Sequence, residues 1–440
     1  MFNNIDKYIQ DKYKNKTNWF EEEVKETEHL NRIINVIKNK EYLNGKHKIL
    51  ERNDIKWKGE NFITTKLVLQ QAKTILNFHN TYLLGKPISL IGSENMVKEF
   101  NKIYRKGKYN NIDFNILKNV NCYGDVFEYV YKDIDNTIKS KIINSECGYP
   151  VYAEDSNTML CFIEYWTSDS NKVSYYTIYY PEKVEEWNNE GGELNLINTY
   201  NNLTGLPIHY HNINDIDERY GISELEDIKP IIDCLEDLLS KFNDSIYTLS
   251  LNPLAVVEGQ ELDKSIDADA VGYAIQLEGG GDFNFKSANM DYSSIKLFLD
   301  TLNQQLQMVA GIPSVALGNT NVANVSEVSL SMLYNLASMK AMLSEKWLKE
   351  GISKRFEKIC KLLENDNIIF SDDEYVDIEF NYNKPINKSE LLDNLKKQFE
   401  MNAISIRSII EKSDLSNDVT QELERLKEEN TNKHNLDDSK

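Results

Sequence analysis

The sequence predicts an α+β protein, and three observations point there. Amphipathic helical periodicity fills both ends of the chain. A block of β-branched and aromatic residues with regular turn clusters fills 125–212. A segment almost free of charge then separates two of the later helices.

The first helix is expected from residue 17 to about residue 40. Its stretch, TNWFEEEVKETEHLNRIINVIKNK, opens on Thr17, continues with acids and ends with basic residues, which complements a helix dipole. A second is expected across 61–87, with Ile63, Leu67, Ile75 and Leu83 near one face and Gly85 and Pro87 as the stop. Ser93 opens a third, and residues 110–121 read as a fourth. At Gly124 the character changes. DVFEYVYKD, TIKSKII, MLCFIEYWTS, KVSYYTIYY and LPIHYHNI read as antiparallel strands between turns such as DSNT and NNEGGE. Their tyrosines fit cross-strand packing pairs, and a glycan-binding face is the alternative.

SELE at Ser223 and Glu226 reads as a capping box for a helix to about residue 250, kinked at Pro230. A small β excursion follows at 251–291 around Gly279, Gly280 and Gly281. Residues 294–310 form another amphipathic helix, with Ile295, Phe298, Leu299, Leu302, Leu306 and Val309 on one stripe. The low-charge segment spans 301–339. Glu327 is its one charged residue, where a chain that is 27% charged would place about ten. Gly311, Pro313 and Gly318 break it into a loop. A long helix is expected at about 326–363, then the strand-like YVDIEFNYNKP, two shorter helices, a charged helix and a disordered tail at 429–440.

Composition narrows the function classes. The chain has 440 residues, 70 of them acidic and 50 basic, for a net charge of −20. No basic footprint for a wide grip on nucleic acid is visible at that level. An acidic wall is compatible with letting DNA pass without sticking, and also with plain solubility. The five cysteines are widely spaced and read as reduced thiols. The N-terminus lacks the apolar core of a signal peptide, and no apolar run approaches the roughly 18 residues that span a bilayer. The expectation is a soluble product of the cytoplasm with no membrane role.

Catalytic signatures are weak. LLGKPI has Asn80 where a phosphate-binding loop needs its first glycine. LEGGGDF fits a hairpin bend better than a dinucleotide site. His209 and His211 share a strand face at the spacing of two metal ligands, with no third ligand apparent. Asp372 and Glu374, in SDDE, form the acid pair a hydrolase would need, but such runs are usually solvated turns. No enzyme, cofactor or metal is expected.

The order of elements resembles the portal proteins of tailed bacteriophages, of the type found with Gram-positive hosts. Four phrases carry the resemblance over about 20–425. NFITTKLVLQQAKTILNFHNTYLLGKPIS is similar to the family's N-terminal helix, with Thr81 in place of the usual glycine before Tyr82. CYGDVFEYVY is similar to the strand that opens its β unit, and YGISELEDIKPIIDCLEDLLSKFNDSI to its first stem helix. GIPSVALGNTNVANVSEVSLSMLY is similar to its tunnel loop.

The resemblance implies a portal-like fold. Residues 1–222 and 327–384 would be the wing, and 223–250 and 292–310 a two-helix stem around a small clip at 251–291. Residues 311–326 would be the tunnel loop and 385–428 a helical crown. It also implies a homo-oligomeric ring, twelve-fold in the family's virion form, at the capsid portal vertex of a virion assembled in the bacterial cytoplasm. Its partners would be a large terminase ATPase, a head–tail connector, major capsid and scaffolding proteins, and double-stranded DNA in transit. Gly318, Asn319, Thr320, Asn321, Asn324 and Ser326 would line the DNA channel. Like charges repeated around an axis cost kilocalories per pair at an effective dielectric of about 20, so a nearly neutral loop suits that place. An acid-pair hydrolase and a monomeric glycan-binding protein are the alternatives.

Overall fold

The computed structural model describes residues 5–57, 60–153, 156–250, 254–259, 280, 282–286, 291–313, 327–385, 388–413, 419 and 421–428. The chain divides into two compact units, Met1–Ile312 with Met339–Tyr382 and Pro313–Ser338 with Asn383–Lys440.

The larger unit opens with α1 (Ile5–Tyr13), α2 (Trp19–Glu23) and α3 (Thr27–Leu43). The single helix predicted from residue 17 is therefore broken at 24–26. The bend lets Trp19, Phe20 and Val24 pack with Tyr8 and Tyr13 into a core that includes Val151, Cys161, Ile163 and Ile178. Glu23 also turns inward there. It accepts hydrogen bonds from the Tyr8 hydroxyl at 2.8 Å and from the Lys12 ammonium at 3.2 Å.

The predicted 61–87 helix begins only at α4 (Gln71–Leu84). Before it, β1 (Ile55–Trp57) and β2 (Glu60–Phe62) pair as an antiparallel ribbon, and residues 63–69 are not helical. The β-branched residues Ile63, Thr64, Thr65 and Val68 disfavour helix. The extended chain instead zips along α7 (Leu225–Ser245). The amides of Thr65, Leu67 and Leu69 donate to Asp244 Oδ1 (2.9 Å), Ser240 Oγ (3.0 Å) and Glu236 Oε1 (2.7 Å), all buried. Two extended residues advance about 6.6 Å and four helical residues about 6 Å, so alternate amides meet every fourth α7 side chain. Ile63, predicted on the buried face, is 79% exposed.

β3 (Ser89–Gly92) was not anticipated from the pattern; α5 (Glu94–Gly107) and α6 (Tyr109–Tyr123) match the third and fourth predicted helices. The β unit follows as β4 (Asp125–Lys132), β5 (Ile138–Ile143), β6 (Gly148–Tyr152), β7 (Met159–Thr167), β8 (Ser174–Tyr179), β9 (Lys183–Asn188), β10 (Asn195–Asn201) and β11 (Ile208–His211). It makes two antiparallel sheets, ordered β10-β9-β8-β7-β6 and β11-β4-β5. Phe127 and Ile143 of the smaller sheet share one apolar cluster with Phe162, Tyr179 and Val184 of the larger. Tyr165 stacks on its register partner Tyr176 at 4.7 Å, and Trp166 on Tyr175 at 4.5 Å, so these aromatics are cross-strand pairs.

The reciprocal capping box predicted at Ser223 does not form. The Ser223 hydroxyl accepts from the Leu225 amide at 3.1 Å and donates to the Cys122 carbonyl at 2.7 Å, while Glu226 pairs with Lys229. The last carbonyls of α6 lack helical donors, and Ser223 satisfies them. Pro230 lies inside α7, which ends in a wider helical turn at Ile246–Ser250. β12 (Leu254–Glu258) and β13 (Asp282–Lys286) then pair antiparallel. GYAIQLE, Gly279 and Gly281 lie outside the described residues.

α8 (Tyr292–Ala310) starts at an Asp291 cap, whose carboxylate accepts the Ser294 amide at 3.1 Å. The long helix predicted at about 326–363 is two, α9 (Glu327–Leu333) and α10 (Asn335–Asn365), interrupted by a turn at Tyr334. β14 (Val376–Glu379) closes the larger unit by pairing antiparallel with β3. Gly92 has φ +137°, and a Cβ there would meet the Tyr375 carbonyl oxygen at 2.2 Å, so this pairing needs glycine. The smaller unit contains α9, α11 (Lys388–Glu400), α12 (Ile406–Ser413) and the helical residues 421–428. No described helix is long and apolar enough to cross a membrane.

Candidate functional site

The low-charge segment is the site that the sequence singles out. Gly318, Asn319, Thr320, Asn321, Asn324 and Ser326 all lie outside the described residues. The described flanks show how the segment leaves the larger unit and returns to it. On the outgoing side, Leu306, Ala310 and Ile312 are buried in one cluster with Leu225, Ile228, Ile232 and Leu235 of α7 and Ala72, Ile75 and Leu76 of α4. Gly311 ends α8 in the left-handed region at φ +66°, and the Ile312 amide reaches back to the Gln307 carbonyl at 3.0 Å. That six-to-one bond with an apolar residue beyond the glycine is a Schellman ending. On the returning side, the Lys340 ammonium donates to Glu224 Oε2 at 2.5 Å.

Only part of the stripe predicted on α8 is covered. Leu306 is buried and Leu299 and Leu302 pack at the edge of the cluster, but Phe298 and Val309 are exposed, as are Leu297 and Met308. Further apolar residues at three- and four-residue spacing, Val328, Met332, Leu336, Met339 and Leu343, are all exposed along α9 and α10. Single exposed apolar residues are ordinary, whereas here several on one helix stay in water, on α8 in the larger unit and on α9 in the smaller.

Residues 22–435 match the family described as "Phage portal protein, SPP1 Gp6-like". This chain belongs to that phage portal family. No curated protein sequence matches it. Among solved structures, a chain of the "Virion of native gene transfer agent (GTA) particle" aligns at 12% identity and TM-score 0.45, covering 78% of this chain and 89% of that one. A chain of the "Neck of native GTA particle computed with C12 symmetry" aligns at 12% identity and TM-score 0.46, with the same coverage. A chain of the "Neck of empty GTA particle computed with C6 symmetry" aligns at 11% and 0.45, covering 80% and 88%.

His209, His211 and Glu374 have their own contacts in this portal-family chain. His209 and His211 do share a strand face, with ring centroids 5.0 Å apart. His209 Nδ1 pairs with the Tyr152 hydroxyl at 2.7 Å, and its Nε2 lies 3.6 Å from Asp125. Burial pushes its imidazole down to about 4, against the pull of Asp125, so the ring is neutral near pH 7. Among the described residues, no group of three or more His, Cys, Asp or Glu side chains is placed to hold a metal. Asp372 is exposed, and the Glu374 carboxylate accepts the Ser371 amide at 3.1 Å within its own turn.

Sequence reasoning missed a buried ionic node centred on Arg355 of α10. The side chain is fully buried. Its Nε donates to both Glu128 oxygens on β4, at 2.8 and 3.0 Å, and its Nη1 donates to Asp113 of α6 and to the Tyr104 hydroxyl of α5. The Tyr210 hydroxyl of β11 donates to Glu128 at 2.6 Å. One guanidinium thus joins the long helix to both helices and strands of the β unit. A signal for it exists: Leu348, Ile352, Arg355, Ile359 and Leu362 fall on one helical stripe, all buried, with a cation in its middle.

Proposed function

We propose that copies of this chain close into a ring at one vertex of a virus capsid, and that the ring's axis is the channel through which double-stranded DNA is packaged and later ejected. Membership of the phage portal family across residues 22–435 supports the conduit. The observation that carries the ring is apolar exposure on each unit by itself: Leu297, Phe298 and Met308 on α8 of the larger unit, and Val328 and Met332 on α9 of the smaller. An isolated subunit leaves these side chains in water, and neighbours around a ring would cover them.

In this reading residues 1–222 and 327–384 form the wing, 223–250 and 292–310 the stem, 251–291 the clip, and 385–428 the crown. The loop at 311–326 points to the axis. There Asn319, Thr320, Asn321, Asn324 and Ser326 exchange weak hydrogen bonds with passing phosphates or water, and Gly318 relieves backbone constraint. A terminase ATPase supplies the work and later yields the clip to a head–tail connector. Capsid and scaffolding proteins hold the wing, and the subunit itself carries out no catalysis.

Native mass measurement and negative-stain imaging of the purified chain test the ring. Symmetric particles of several hundred kilodaltons are expected. A species that stays at the 51.1 kDa of one chain over a wide concentration range overturns the reading. Asn321→Lys tests the axis: rings should form normally while DNA packaging falls by about tenfold or more, because a fixed cation there holds the phosphates. Unchanged packaging removes this loop from the channel.

A further inference from the structure

The chain leaves the larger unit after Ile312 and re-enters it at Met339. Two polar contacts sit just inside those crossings. On the outgoing side, His79 of α4 donates its Nε2 proton to the Ala310 carbonyl at 2.6 Å, from a side chain that is itself buried. The carbonyls of a helix's last turn have no helical donor, so this bond supplies a missing partner. A carbonyl only accepts, which places the proton on Nε2. Burial, together with the nearby Lys340 charge, pushes the imidazole down to about 4, so the ring is neutral near pH 7.

On the returning side, Lys340 of α10 donates to Glu224, the residue before α7. The other Glu224 oxygen accepts from Asn212 Nδ2 at 2.9 Å. Burial works to raise the Glu224 carboxyl, but the Lys340 ammonium and these hydrogen bonds outweigh it and hold the group below its usual range. The two contacts are parts of one node. His79, Glu224 and Lys340 line the same small cavity with Leu117, Asn121 and Ser344. Asn121 donates its side-chain amide to Asn80, next to His79, at 2.8 Å, and its carbonyl accepts the Glu224 amide at 3.1 Å.

An ordinary helix connection is held well enough by apolar packing, and Ala310 and Ile312 already have it. Beside that packing, His79 and Asn121 are buried and the Glu224–Lys340 pair is half-buried, an arrangement that carries a desolvation cost apolar residues would avoid. Its position, just inside both crossings, is what marks it. We infer that His79 and Glu224 are positioning residues for the low-charge segment: they fasten its two roots to one corner of the larger unit, so that each copy presents the segment from a fixed base. The inference rests on the channel reading for its purpose, but its test does not.

Hydrogen exchange with mass spectrometry on the full chain reads the two roots directly, in single subunits or rings alike. His79→Ala should speed exchange of residues 306–312 by about tenfold or more, and Glu224→Gln should do the same at 335–343. The strands β4 and β7 should keep wild-type exchange in both. His79→Gln, which retains an N–H donor of similar reach, should restore protection at 306–312. Wild-type exchange at both roots in the first two variants overturns the inference. So does a uniform rise across the larger unit, the mark of a merely structural role, and so does His79→Gln behaving like His79→Ala. Should Glu224→Gln fail to fold, Lys340→Gln, at a partly exposed position, reads the same root. Native mass on the same samples reports the ring separately, so a missing ring and a missing tether are distinguishable.

Discussion

In the β unit, apolar side chains find their partners within the chain. Phe127, Phe162, Ile178 and Val184 come from different strands and are completely buried. Along α8 and the start of α10, Leu297, Phe298, Met308, Leu336 and Met339 are as apolar, and stay in water. Both regions are regular secondary structure, so local propensity does not separate them. What differs is the layer that covers them. A second sheet and the N-terminal helices cover the strands, whereas among the described residues the cluster that covers α8 comes from the α4 and α7 side. Full burial of a side chain of this size stabilises by about 1.5–3 kcal/mol. The β unit therefore draws its stability from one chain, whereas the exposed residues of α8 and the start of α10 contribute little of this to the single subunit; in the proposed ring they would contribute it to association.

The largest expected effect breaks the self-contained side of that contrast. Arg355→Met leaves Glu128 and Asp113 buried without their cation, and should cost about 3–5 kcal/mol in chemical denaturation of the isolated subunit. A loss below about 1 kcal/mol would show that the node does not tie α10 to the sheets.

Acid should act next, at the N-terminal helices. Burial works to raise the Glu23 carboxyl, but hydrogen bonds from His29 and Tyr13 and the Lys12 charge outweigh it and hold it at about 2, against an ordinary value of 4.5. A depressed folded value means the stabilisation is complete above pH 4.5 and disappears as pH falls through 2. At 1.36 kcal/mol per unit it amounts to about 3 kcal/mol. Thermal melts from pH 6 to pH 2 should show this loss, and Glu23→Gln should flatten it. An identical acid profile in that variant would assign the effect elsewhere.

The smallest effect on the subunit should be the largest on its association. Leu297→Gln with Met308→Gln replaces two exposed side chains and should move subunit stability by no more than about 0.5 kcal/mol per site. Ring yield, measured by native mass at fixed concentration, should fall by about tenfold or more. Wild-type rings from this variant would place the subunit interface on another face.

Much of the fold was legible in the sequence, for identifiable reasons. The α5, α6, α7 and α8 helices announce themselves through period and stops, and β4, β5, β7, β8 and β11 through β-branched and aromatic runs. The edge strand β10, NLINTYN, is exposed at every position, so no buried face imprinted an alternation on it. The stretch at 63–69 carries helix-like spacing but follows α7 as an extended chain, because its amides find acceptors 167 to 179 residues further on. No local pattern encodes partners at that separation.

For the candidate site, the sequence by itself determined that charge between 301 and 339 falls to one residue, Glu327, and that amphipathic helices lead into and out of the loop there, since both are properties of neighbouring residues read in order. Tertiary structure alone decided where the two ends of that segment are held. His79, Asn121, Glu224 and Lys340 are scattered over more than half of the chain, and each alone resembles any polar residue on a helix or beside one. They act as one node because α4, α6, α10 and the start of α7 bring them to a common cavity, where the buried His79 and Asn121 must find hydrogen-bond partners within the chain and the half-buried Glu224 and Lys340 pair with each other.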